Sequence, residues 1–327
     1  MAATDGSGAS RTTDEVLAGV DLQGKRALVT GASGGLGLET ARALAAHGAE
    51  VILAARDAAK TDSALRSIRE QVPGARVTGT DLDLASLASI RACAARLRKD
   101  YDRLDLLINN AGVMCSPFGR TSDGFELQFG TNHLGHFLLT GLLVPLLVAG
   151  APARVVNLSS DGHLISDVHW DDPNFERHDY EKWTAYGQSK TANVLFSIEL
   201  ERRLGGRGVH AWAVHPGMIM TDLGRHLTQE DLAMIQAMTK GGGEKKEGTS
   251  SGGSGGSRGG MPGYKTIPQG AATSVWAATA PELEGRGGGY LADCTEATKP
   301  NPWAIDPVAA RRLWTMSEKL VGETFAL

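Results

Sequence analysis

Tyr186 and Lys190 are the residues whose types and spacing most directly suggest chemistry. They lie four positions apart in a segment with helical periodicity, so their side chains share one helix face. Tyrosine ordinarily titrates near about 10 and lysine near about 10.4, and a neighbouring ammonium favours the phenolate form. Tyr186 is therefore a candidate for proton exchange near neutral pH. Such pairs also occur on ordinary helix surfaces, so the surrounding sequence decides between the two interpretations.

A second candidate site is the glycine-rich segment Gly31–Gly37, which follows the apolar run Arg26–Thr30 and precedes a helical pattern. Between a strand and a helix, such a loop lets backbone N–H groups approach a pyrophosphate at the positive end of the helix. The spacing is not G-x-G-x-x-G, because Thr40 stands where the third glycine would be, and no Walker Gly-Lys-Ser/Thr follows. A tight turn without a ligand is the alternative.

The elements that would position these residues alternate along the chain. Short apolar runs such as VILAA, LLIN and VVNL lack polar alternation, as strands covered on both faces do, and longer helical segments separate them. This alternation is typical of βαβ units around a parallel sheet. The predicted fold class is α/β: a single doubly wound Rossmann-type domain over residues 21–327, with a parallel sheet flanked by helices plus a small helical substrate lid. The predicted elements are Arg26–Thr30, Leu36–His47, Glu50–Ala54, Ala58–Gln71, Arg76–Asp81, Leu84–Tyr101, Leu104–Asn109, Phe125–Val148, Arg154–Ser159, Tyr186–Leu204, His210–Val214, Ala271–Thr279, Gly289–Leu291 and Asp306–Val321.

Two segments depart from this alternation. Residues 1–20 are mostly polar and are predicted to form a flexible arm. Within residues 218–270, apolar positions from Met218 to Met238 predict a helical lid over a site, and the Gly/Ser-rich stretch Gly241–Gly263 follows. Because that stretch has almost no apolar content, we expect a flexible loop. An insertion that merely tolerates length is the alternative.

Composition excludes several classes of protein. The 327 residues carry a net charge of −4, so no basic excess is available to hold a nucleic-acid backbone. The three cysteines, Cys93, Cys115 and Cys294, show neither a disulfide framework nor zinc-ligand spacing. The first residues lack the pattern of a secretory signal, and the apolar stretch Leu138–Ala149 is too short to cross a bilayer. These features predict a cytoplasmic protein without a membrane span.

The glycine segment is followed, in a fixed order, by four further motifs. Together they resemble the short-chain dehydrogenase/reductase superfamily over Lys25 to Leu223. The glycine spacing alone also fits the longer, sugar-nucleotide branch of that superfamily, whereas the NNAG motif matches the shorter branch. The sequence segments VILAARD, NHLGHFLLT and AYGQSKTANVLF are similar to those of the retinol-dehydrogenase-like and WW-domain-oxidoreductase-like subgroup. The motifs are TGASGGLG (Thr30–Gly37), NNAG (Asn109–Gly112), Ser159-Ser160, Tyr186-x-x-x-Lys190 and His215-Pro216-Gly217.

The resemblance implies hydride transfer between C4 of a nicotinamide and a carbinol or carbonyl carbon. Tyr186 would exchange the proton of the substrate oxygen, Ser160 would steady that oxygen, and Lys190 would bind the nicotinamide ribose and lower the tyrosine pKa. Asn132 matches the family asparagine that helps to keep a proton-relay water beside the lysine, with a helix-capping amide as the alternative. The apolar lid segment favours a small apolar alcohol or ketone as substrate.

The end of the second predicted strand bears on the choice of cofactor. An acid there would accept the ribose hydroxyls of NAD, but the position holds Ala55 followed by Arg56, whose guanidinium suits a 2′-phosphate. NADP(H) is therefore preferred, and NAD(H) stays open because Asp57 could partly neutralise Arg56. Asp81 also fits a helix cap. By resemblance, the other cofactor contacts are Gly31, Ser33, Gly35, Leu36, Gly37, Asp81, Leu82, Asn110, Ala111, Gly112, Tyr186, Lys190, Pro216, Gly217, Ile219 and Thr221.

Weaker candidates have ordinary explanations. Trp170 and Trp183 lie in a stretch that borders the substrate site in the resembling subgroup, and packing aromatics are the alternative. His133 and His136 share a helix face without an evident third ligand, so no metal is predicted. Cys115 lacks an identifiable base partner for a nucleophilic role.

Two other functions stay open at this stage. One is an NADPH-dependent C=C reductase of the protochlorophyllide-reductase-like type, and the other is a catalytically idle protein that senses NADP. The family resemblance is also compatible with a homo-oligomer.

Overall fold

One sheet of eight strands organises the computed structural model, which describes residues 8–231, 264–297 and 300–327. Its strands are β1 (Arg26–Thr30), β2 (Glu50–Ala55), β3 (Val77–Asp81), β4 (Leu106–Asn109), β5 (Ala153–Leu158), β6 (Val209–His215), β7 (Tyr290–Ala292) and β8 (Thr295–Glu296). The order is β3-β2-β1-β4-β5-β6-β7-β8. Every neighbouring pair is parallel except β7 with β8. The predicted doubly wound α/β domain is confirmed, and β8 was not foreseen.

Helices cover both faces of this sheet. On one face, α2, α3 and α7 share a buried apolar cluster with the strands, and on the other face α4, α5, α6 and α8 share a second cluster. This two-sided cover explains why the central strands are apolar throughout. The helices are α1 (Thr13–Val16), α2 (Gly35–Ala46), α3 (Ala58–Gln71), α4 (Leu87–Asp100), α5 (Leu127–Ala149), α6 (Lys182–Leu204), α7 (Ile267–Thr279) and α8 (Pro307–Val321).

The N-terminal segment differs from the flexible arm predicted over residues 1–20. From residue 8 onward it is ordered against the domain, and Thr12 begins α1 with a capping box that includes Glu15. Leu17 is fully buried in the cluster that also contains α2 and α7. Thr13 donates a hydrogen bond to Glu39 of α2. The two apolar residues Val16 and Leu17 supply the burial that the polar composition of the segment concealed.

Helix α5 is the longest apolar segment that the structure describes. By length and composition its Leu127–Ala149 span could cross a membrane, yet 78% of its apolar window is buried inside the domain. Its residues pack with α4 and α8 in one cluster, so burial against protein accounts for its apolar character. Within it, Gly130–Leu134 adopts a π turn, in which Gly135 N–H bonds back to the Gly130 carbonyl.

The predicted lid is described in part. Residues 216–231 extend from the end of β6 through a short 3-10 turn, Asp222–His226, and the described part ends in the helical residues 229–231. The rest of the predicted lid and the Gly/Ser-rich stretch Gly241–Gly263 lie outside the described residues.

Candidate active site

Helix α6 carries both residues of the Tyr-x-x-x-Lys motif into the interior. Glu181 caps its first turn by accepting hydrogen bonds from backbone N–H groups, which fixes where the helix begins. Tyr186 and Lys190 are only 4% and 5% exposed. The Lys190 Nζ lies 5.4 Å from the centre of the Tyr186 ring and donates to the Leu158 carbonyl at 3.1 Å. The two side chains therefore form a buried pair, not a surface pair.

The two serines after β5 have different partners. The Ser159 hydroxyl is buried and donates to the Lys190 carbonyl at 2.8 Å, which ties the strand to α6. The Ser160 oxygen accepts a hydrogen bond from Gly162 N–H at 2.8 Å and also contacts the Tyr186 hydroxyl, an interaction that acts to lower the tyrosine pKa. The structure thus brings Ser160, and not Ser159, to the phenol.

Burial controls the protonation of this pair. It raises the pKa of Tyr186 above its ordinary value and lowers the pKa of Lys190 to about 8. The net direction for the tyrosine pKa is upward, because the cost of burying a phenolate exceeds the hydrogen bond with Ser160 that favours it. Tyr186 is consequently a neutral phenol at pH 7, and its proton is available for donation.

Asn132 lies in the π turn of α5, completely buried. Its side-chain oxygen accepts from Val113 N–H at 2.8 Å, and its amide nitrogen donates to the Val113 carbonyl and to the Ser189 hydroxyl, both at 2.9 Å. The side chain therefore joins the loop after β4 to α6. The capping role considered from the sequence is not what the structure shows.

The glycine segment forms a tight connection between β1 and α2. Gly31 and Gly35 have φ values of +65° and +55°, which favour glycine. A Cβ on Gly37 would lie 2.5 Å from both the Gly31 carbonyl oxygen and the amide nitrogen of Asn110, so the loop packs too closely for a side chain there. A Cβ on Gly34 would meet nothing within 4 Å. This combination of close backbone packing and adjacent open space fits a dinucleotide phosphate.

The NNAG turn is held against this glycine segment. Asn110 donates from its side chain to the Thr30 carbonyl at 2.8 Å, and its backbone N–H and that of Ala111 both donate to the Thr30 hydroxyl. Gly112 lies beside the lysine, since a Cβ on it would be 3.9 Å from Lys190 Nζ. The turn thus connects the predicted phosphate loop with the Tyr186–Lys190 pair.

The segment after β6 also approaches the glycine loop. Gly217 has a φ of +90°, and Ile219 pairs with Lys265 in an isolated parallel bridge. The Thr221 side chain lies 3.7 Å from where a Gly35 Cβ would be. Thr221, at the end of this segment, therefore lies beside the glycine loop, and the contact of residues 216–221 with the nicotinamide stays a prediction.

The adenosine side of the predicted site is a cavity of about 650 Å³ at the ends of β2 and β3. Arg56 is exposed at its wall, whereas the Asp57 carboxylate caps α3 by accepting from Lys60 N–H at 3.0 Å. Among the described residues no hydrogen bond or ion pair occupies the Arg56 guanidinium. The lining residues are Arg56, Asp57, Ala58, Ala59, Asp81, Leu82, Asp83 and Ser89.

A second cavity, of about 610 Å³, lies beside Asp161, the residue that follows Ser160. His215 Nε2 is 3.4 Å from the Asp161 carboxylate, and Lys265 Nζ is 2.5 Å from that of Asp293. The charged residues on its wall are thus paired within the protein. Gly217, Met218 and Tyr290 also line it, so it adjoins the segment predicted to seat the nicotinamide.

Gln128 is a positioning residue that sequence reasoning missed. Its side-chain oxygen accepts from Cys115 N–H at 2.8 Å, and its amide donates to the Tyr180 hydroxyl and the Lys182 carbonyl. It thereby joins the loop after β4 to the start of α6. The available signal was a glutamine within an apolar helix, where a buried amide has to find partners.

The weaker candidates are accounted for by packing. The ring nitrogens of His136 lie within hydrogen-bond distance of Thr30 and Asn132, whereas Nε2 of His133 lies 2.8 Å from the Ser317 hydroxyl. Within the described ranges, no group of three or more His, Cys, Asp or Glu residues could hold a metal ion.

Cys115 and the two candidate tryptophans are also engaged elsewhere. Burial raises the pKa of the Cys115 thiol, so it is not a thiolate at neutral pH. The Trp170 ring packs under Arg312, with the guanidinium 4.5 Å from its centre. Trp183 donates from its indole nitrogen to Asp231 at 2.9 Å.

Asp231 attaches the described end of the predicted lid segment to α6. Its carboxylate accepts from Lys182 Nζ at 2.5 Å, from the Trp183 indole and from Thr228. These bonds lower the pKa of Asp231 against the opposing effect of burial. Asp231 was not singled out from the sequence, because its partners lie some 50 positions earlier in the chain.

We expect Asp231→Ala to release this attachment. The variant should lose about 2 kcal/mol of unfolding free energy in denaturant titrations, because it leaves several donors without their charged acceptor. Limited proteolysis should also cut near Thr228 faster than in the parent protein. Asp222→Ala, an exposed acid in the same segment, is the matched control. If the two variants had the same unfolding free energy and the same rate of cleavage, Asp231 would not attach this segment to α6.

Known proteins share both this sequence and this fold. A family model described as short chain dehydrogenase matches residues 25–232. Retinol dehydrogenase 14 of Mus musculus is 42% identical over 313 residues, covering 92% of this chain and 87% of its own. The WW domain-containing oxidoreductase of Pongo abelii is 40% identical over 322 residues, covering 96% and 72%.

Solved structures agree with this relationship. An uncharacterised protein from Mycobacterium paratuberculosis superposes with a TM-score of 0.72 at 33% identity, covering 97% of this chain and all of its own. A short chain dehydrogenase from Burkholderia cenocepacia, solved in complex with NADP, has a TM-score of 0.62 at 25% identity, with coverage of 83% and 96%. On its motifs, its site and these relatives, the chain belongs to the short-chain dehydrogenase/reductase family of oxidoreductases, in the retinol-dehydrogenase-like subgroup.

Proposed function

We propose that this enzyme is an NADP(H)-dependent oxidoreductase that transfers hydride between the nicotinamide and an alcohol or ketone of apolar character, with Tyr186 as the acid/base. The observation that carries the proposal is the buried Tyr186 phenol, which contacts Ser160 and has the Lys190 Nζ 5.4 Å from the centre of its ring. When bound, the cofactor supplies or accepts the hydride. Tyr186 donates the proton to the substrate oxygen in the reductive direction, and Ser160 hydrogen-bonds that oxygen.

The raised pKa of Tyr186 favours carbonyl reduction as the direction of proton transfer. A neutral phenol can donate directly, whereas alcohol oxidation first requires a base to receive the proton. Lys190, with its pKa lowered to about 8, changes charge close to physiological pH and lies beside the same ring. We therefore propose that reduction is faster than oxidation at neutral pH.

An apolar substrate is supported by the surroundings of Ser160 and by the relatives. Leu164 and Met220 are 46% and 59% exposed, and they lie in the segments that follow Ser160 and β6. Exposed apolar side chains in two segments beside a site are typical of apolar ligand binding. Retinol dehydrogenase 14, one of the matched relatives, is named for retinol, which is an alcohol.

A reductase assay tests the proposal. The purified enzyme, incubated with NADPH and a panel of apolar aldehydes and ketones, should consume NADPH and form the matching alcohols. An α,β-unsaturated ketone in the panel separates the candidate reactions, because a C=C reductase would return a saturated ketone instead. Tight NADPH binding without turnover on any member would favour the idle sensor and contradict the proposal.

The preference for NADP(H) is proposed from Arg56. Its guanidinium is free of protein partners among the described residues, and the Asp57 carboxylate is used in capping α3. Arg56 can therefore form paired hydrogen bonds with a 2′-phosphate. The NADP complex of the Burkholderia cenocepacia relative supports the same choice.

Arg56→Ala is expected to weaken NADPH binding by about 10- to 100-fold, because a charge-assisted hydrogen bond contributes about 1.5–3 kcal/mol. NADH affinity should change by less than about threefold. Fluorescence titration of both nucleotides measures the effect. Arg66→Ala removes an exposed guanidinium from the middle of α3 and is the matched control. Equal weakening of NADPH and NADH would contradict the assignment.

A further inference from the structure

His136 is a buried histidine in α5 with hydrogen-bond partners on both sides of its ring. It is 1% exposed. Its Nε2 lies 2.9 Å from the hydroxyl oxygen of Thr30, at the end of β1. Its Nδ1 lies 2.9 Å from the backbone carbonyl oxygen of Asn132, in the π turn. One ring therefore spans the distance between the phosphate-loop strand and the turn that faces the catalytic helix.

The partners of Thr30 decide which ring nitrogen carries the proton. Its hydroxyl oxygen accepts from Asn110 N–H at 2.9 Å and from Ala111 N–H at 3.0 Å, which uses both lone pairs. The hydroxyl proton has two acceptors within reach, His136 Nε2 at 2.9 Å and the Ile108 carbonyl at a distant 3.4 Å. Thr30 thus donates to His136, and Nε2 is an acceptor without a proton.

The other nitrogen must then be the donor. In neutral imidazole one nitrogen carries a proton and the other accepts, so Nδ1–H points at the Asn132 carbonyl. A protonated ring would leave Nε2–H facing an oxygen whose lone pairs are taken. Burial also lowers the pKa of His136 to about 4, and the nearby Lys190 acts in the same direction. His136 is therefore held as the neutral Nδ1–H tautomer throughout the neutral range.

These bonds form one continuous chain from the cofactor loop to the catalytic helix. Thr30 donates to His136, which donates to the Asn132 carbonyl. The Asn132 amide donates to the Ser189 hydroxyl, and that hydroxyl donates to the Tyr186 carbonyl at 2.7 Å. Every link is buried, where a hydrogen bond is strong and an unmade one is costly.

We propose that His136 is a positioning residue for hydride transfer: its Nδ1–H fixes the Asn132 carbonyl and thereby sets the place of α6, with Tyr186, relative to the NNAG turn. The inference rests on the proposed function for its catalytic consequence. The tautomer and the two hydrogen bonds of His136 follow from the contacts alone and do not depend on the proposed function. A displacement of about 1 Å at a reacting centre can cost about 100-fold in rate, so a bond that sets this spacing has a measurable effect.

Three substitutions separate the two bonds. His136→Asn keeps a donor near the Nδ1 position and so retains the bond to Asn132. His136→Gln places its amide near the Nε2 position and retains only the contact with Thr30. His136→Phe keeps a ring of similar size and loses both. We expect kcat to fall about 10- to 100-fold in the Phe and Gln variants and to stay within about threefold in the Asn variant. NADPH affinity should change less than kcat in all three.

His133→Asn is the matched control, because His133 is equally buried in the same helix but bonds to Ser317 of α8. It should lower thermal stability and leave kcat unchanged. The proposal is overturned if the Phe variant of His136 turns over like the parent. The proposal is also overturned if kcat of His136→Asn falls as low as that of His136→Phe. The size of the side chain, or its contact with Thr30, would then account for the loss of rate.

A measurement without turnover keeps the inference testable if the variants do not fold, or if the parent enzyme reduces no carbonyl in the panel. In ¹⁵N-histidine-labelled protein, the signals absent from His136→Gln, or otherwise assigned by sequential connectivity, should show Nδ1 protonated, Nε2 unprotonated and no titration between pH 5 and 9. An Nε2–H tautomer or titration near about 6.5 would overturn the inference. A parent without carbonyl reduction but with the expected tautomer would refute only the proposed function.

Discussion

Tyr186→Phe is expected to lower kcat for carbonyl reduction by about 10²- to 10⁴-fold while NADPH affinity stays within about threefold. The Tyr186 phenol contacts Ser160 in the described structure, and its proton is retained at neutral pH because burial raises the tyrosine pKa. Phenylalanine keeps the ring that packs against Gly162 and Lys190 and removes the hydroxyl alone. Stopped-flow measurement of NADPH oxidation and a separate binding titration give the two quantities.

The matched control is Tyr101→Phe. Its hydroxyl also has a hydrogen-bond partner, Thr78, but lies at the end of α4, away from the site. The control should turn over like the parent enzyme. If Tyr186→Phe kept more than about a tenth of the parent rate, another group would have to supply the proton, and the assignment of Tyr186 as acid/base would be wrong.

Much of this site was predictable because its chemistry requires particular residue types at short spacings. The Tyr186–Lys190 spacing follows from helix periodicity, and the glycine loop follows from the close approach of its backbone to Asn110 and to Gly31 itself. The alternation of strands and helices likewise predicted the parallel sheet and the cover on both of its faces. Each of these features is local or repeats along the chain, and a single sequence displays such patterns.

What the sequence did not reveal depends on burial and on contacts between distant segments. The environment of Tyr186 raises its pKa although a lysine lies on the same helix face, and only the packed structure shows which effect is larger. Asp231 and Gln128 act on α6 across long chain separations. The helix Thr13–Val16 forms because Val16 and the adjacent Leu17 find a cluster built from α2 and α7, which a composition average over the first twenty residues hides.

The second large expected effect is a loss of stability in mild acid. His133 and His136 are fully buried and neutral, and burial lowers their pKa values to about 3 and about 4. In the unfolded chain both titrate near about 6.5. Between pH 6.5 and 4 the unfolded state therefore binds up to two more protons than the folded state, so the unfolding free energy falls as the pH falls. From pH 7 to 5 the two histidines together remove about 4 kcal/mol, a large share of a typical 5–15 kcal/mol.

Carboxylates have only a small effect on how the unfolding free energy changes between pH 7 and 5. The pKa values of Asp172 and Asp231 are lowered in the fold, so their stabilisation is lost only as the pH drops below about 4. Glu126 acts in the opposite direction to the two histidines, because burial raises its pKa and its protonation therefore stabilises the fold as the pH falls. This gain comes from a single group, so it offsets only part of the loss caused by two histidines.

Urea unfolding at pH 7, 6, 5.5 and 5 measures the slope directly. The double variant His133→Gln, His136→Gln removes these two of the histidines whose pKa burial lowers, so its unfolding free energy should be lower at pH 7 and should vary with pH by up to two protons less than that of the parent. Removing only one histidine should reduce the slope by about one proton. If the parent and the double variant gave parallel profiles between pH 7 and 5, the two rings would have to be protonated within the fold, and the neutral tautomer assigned to His136 would fail with them.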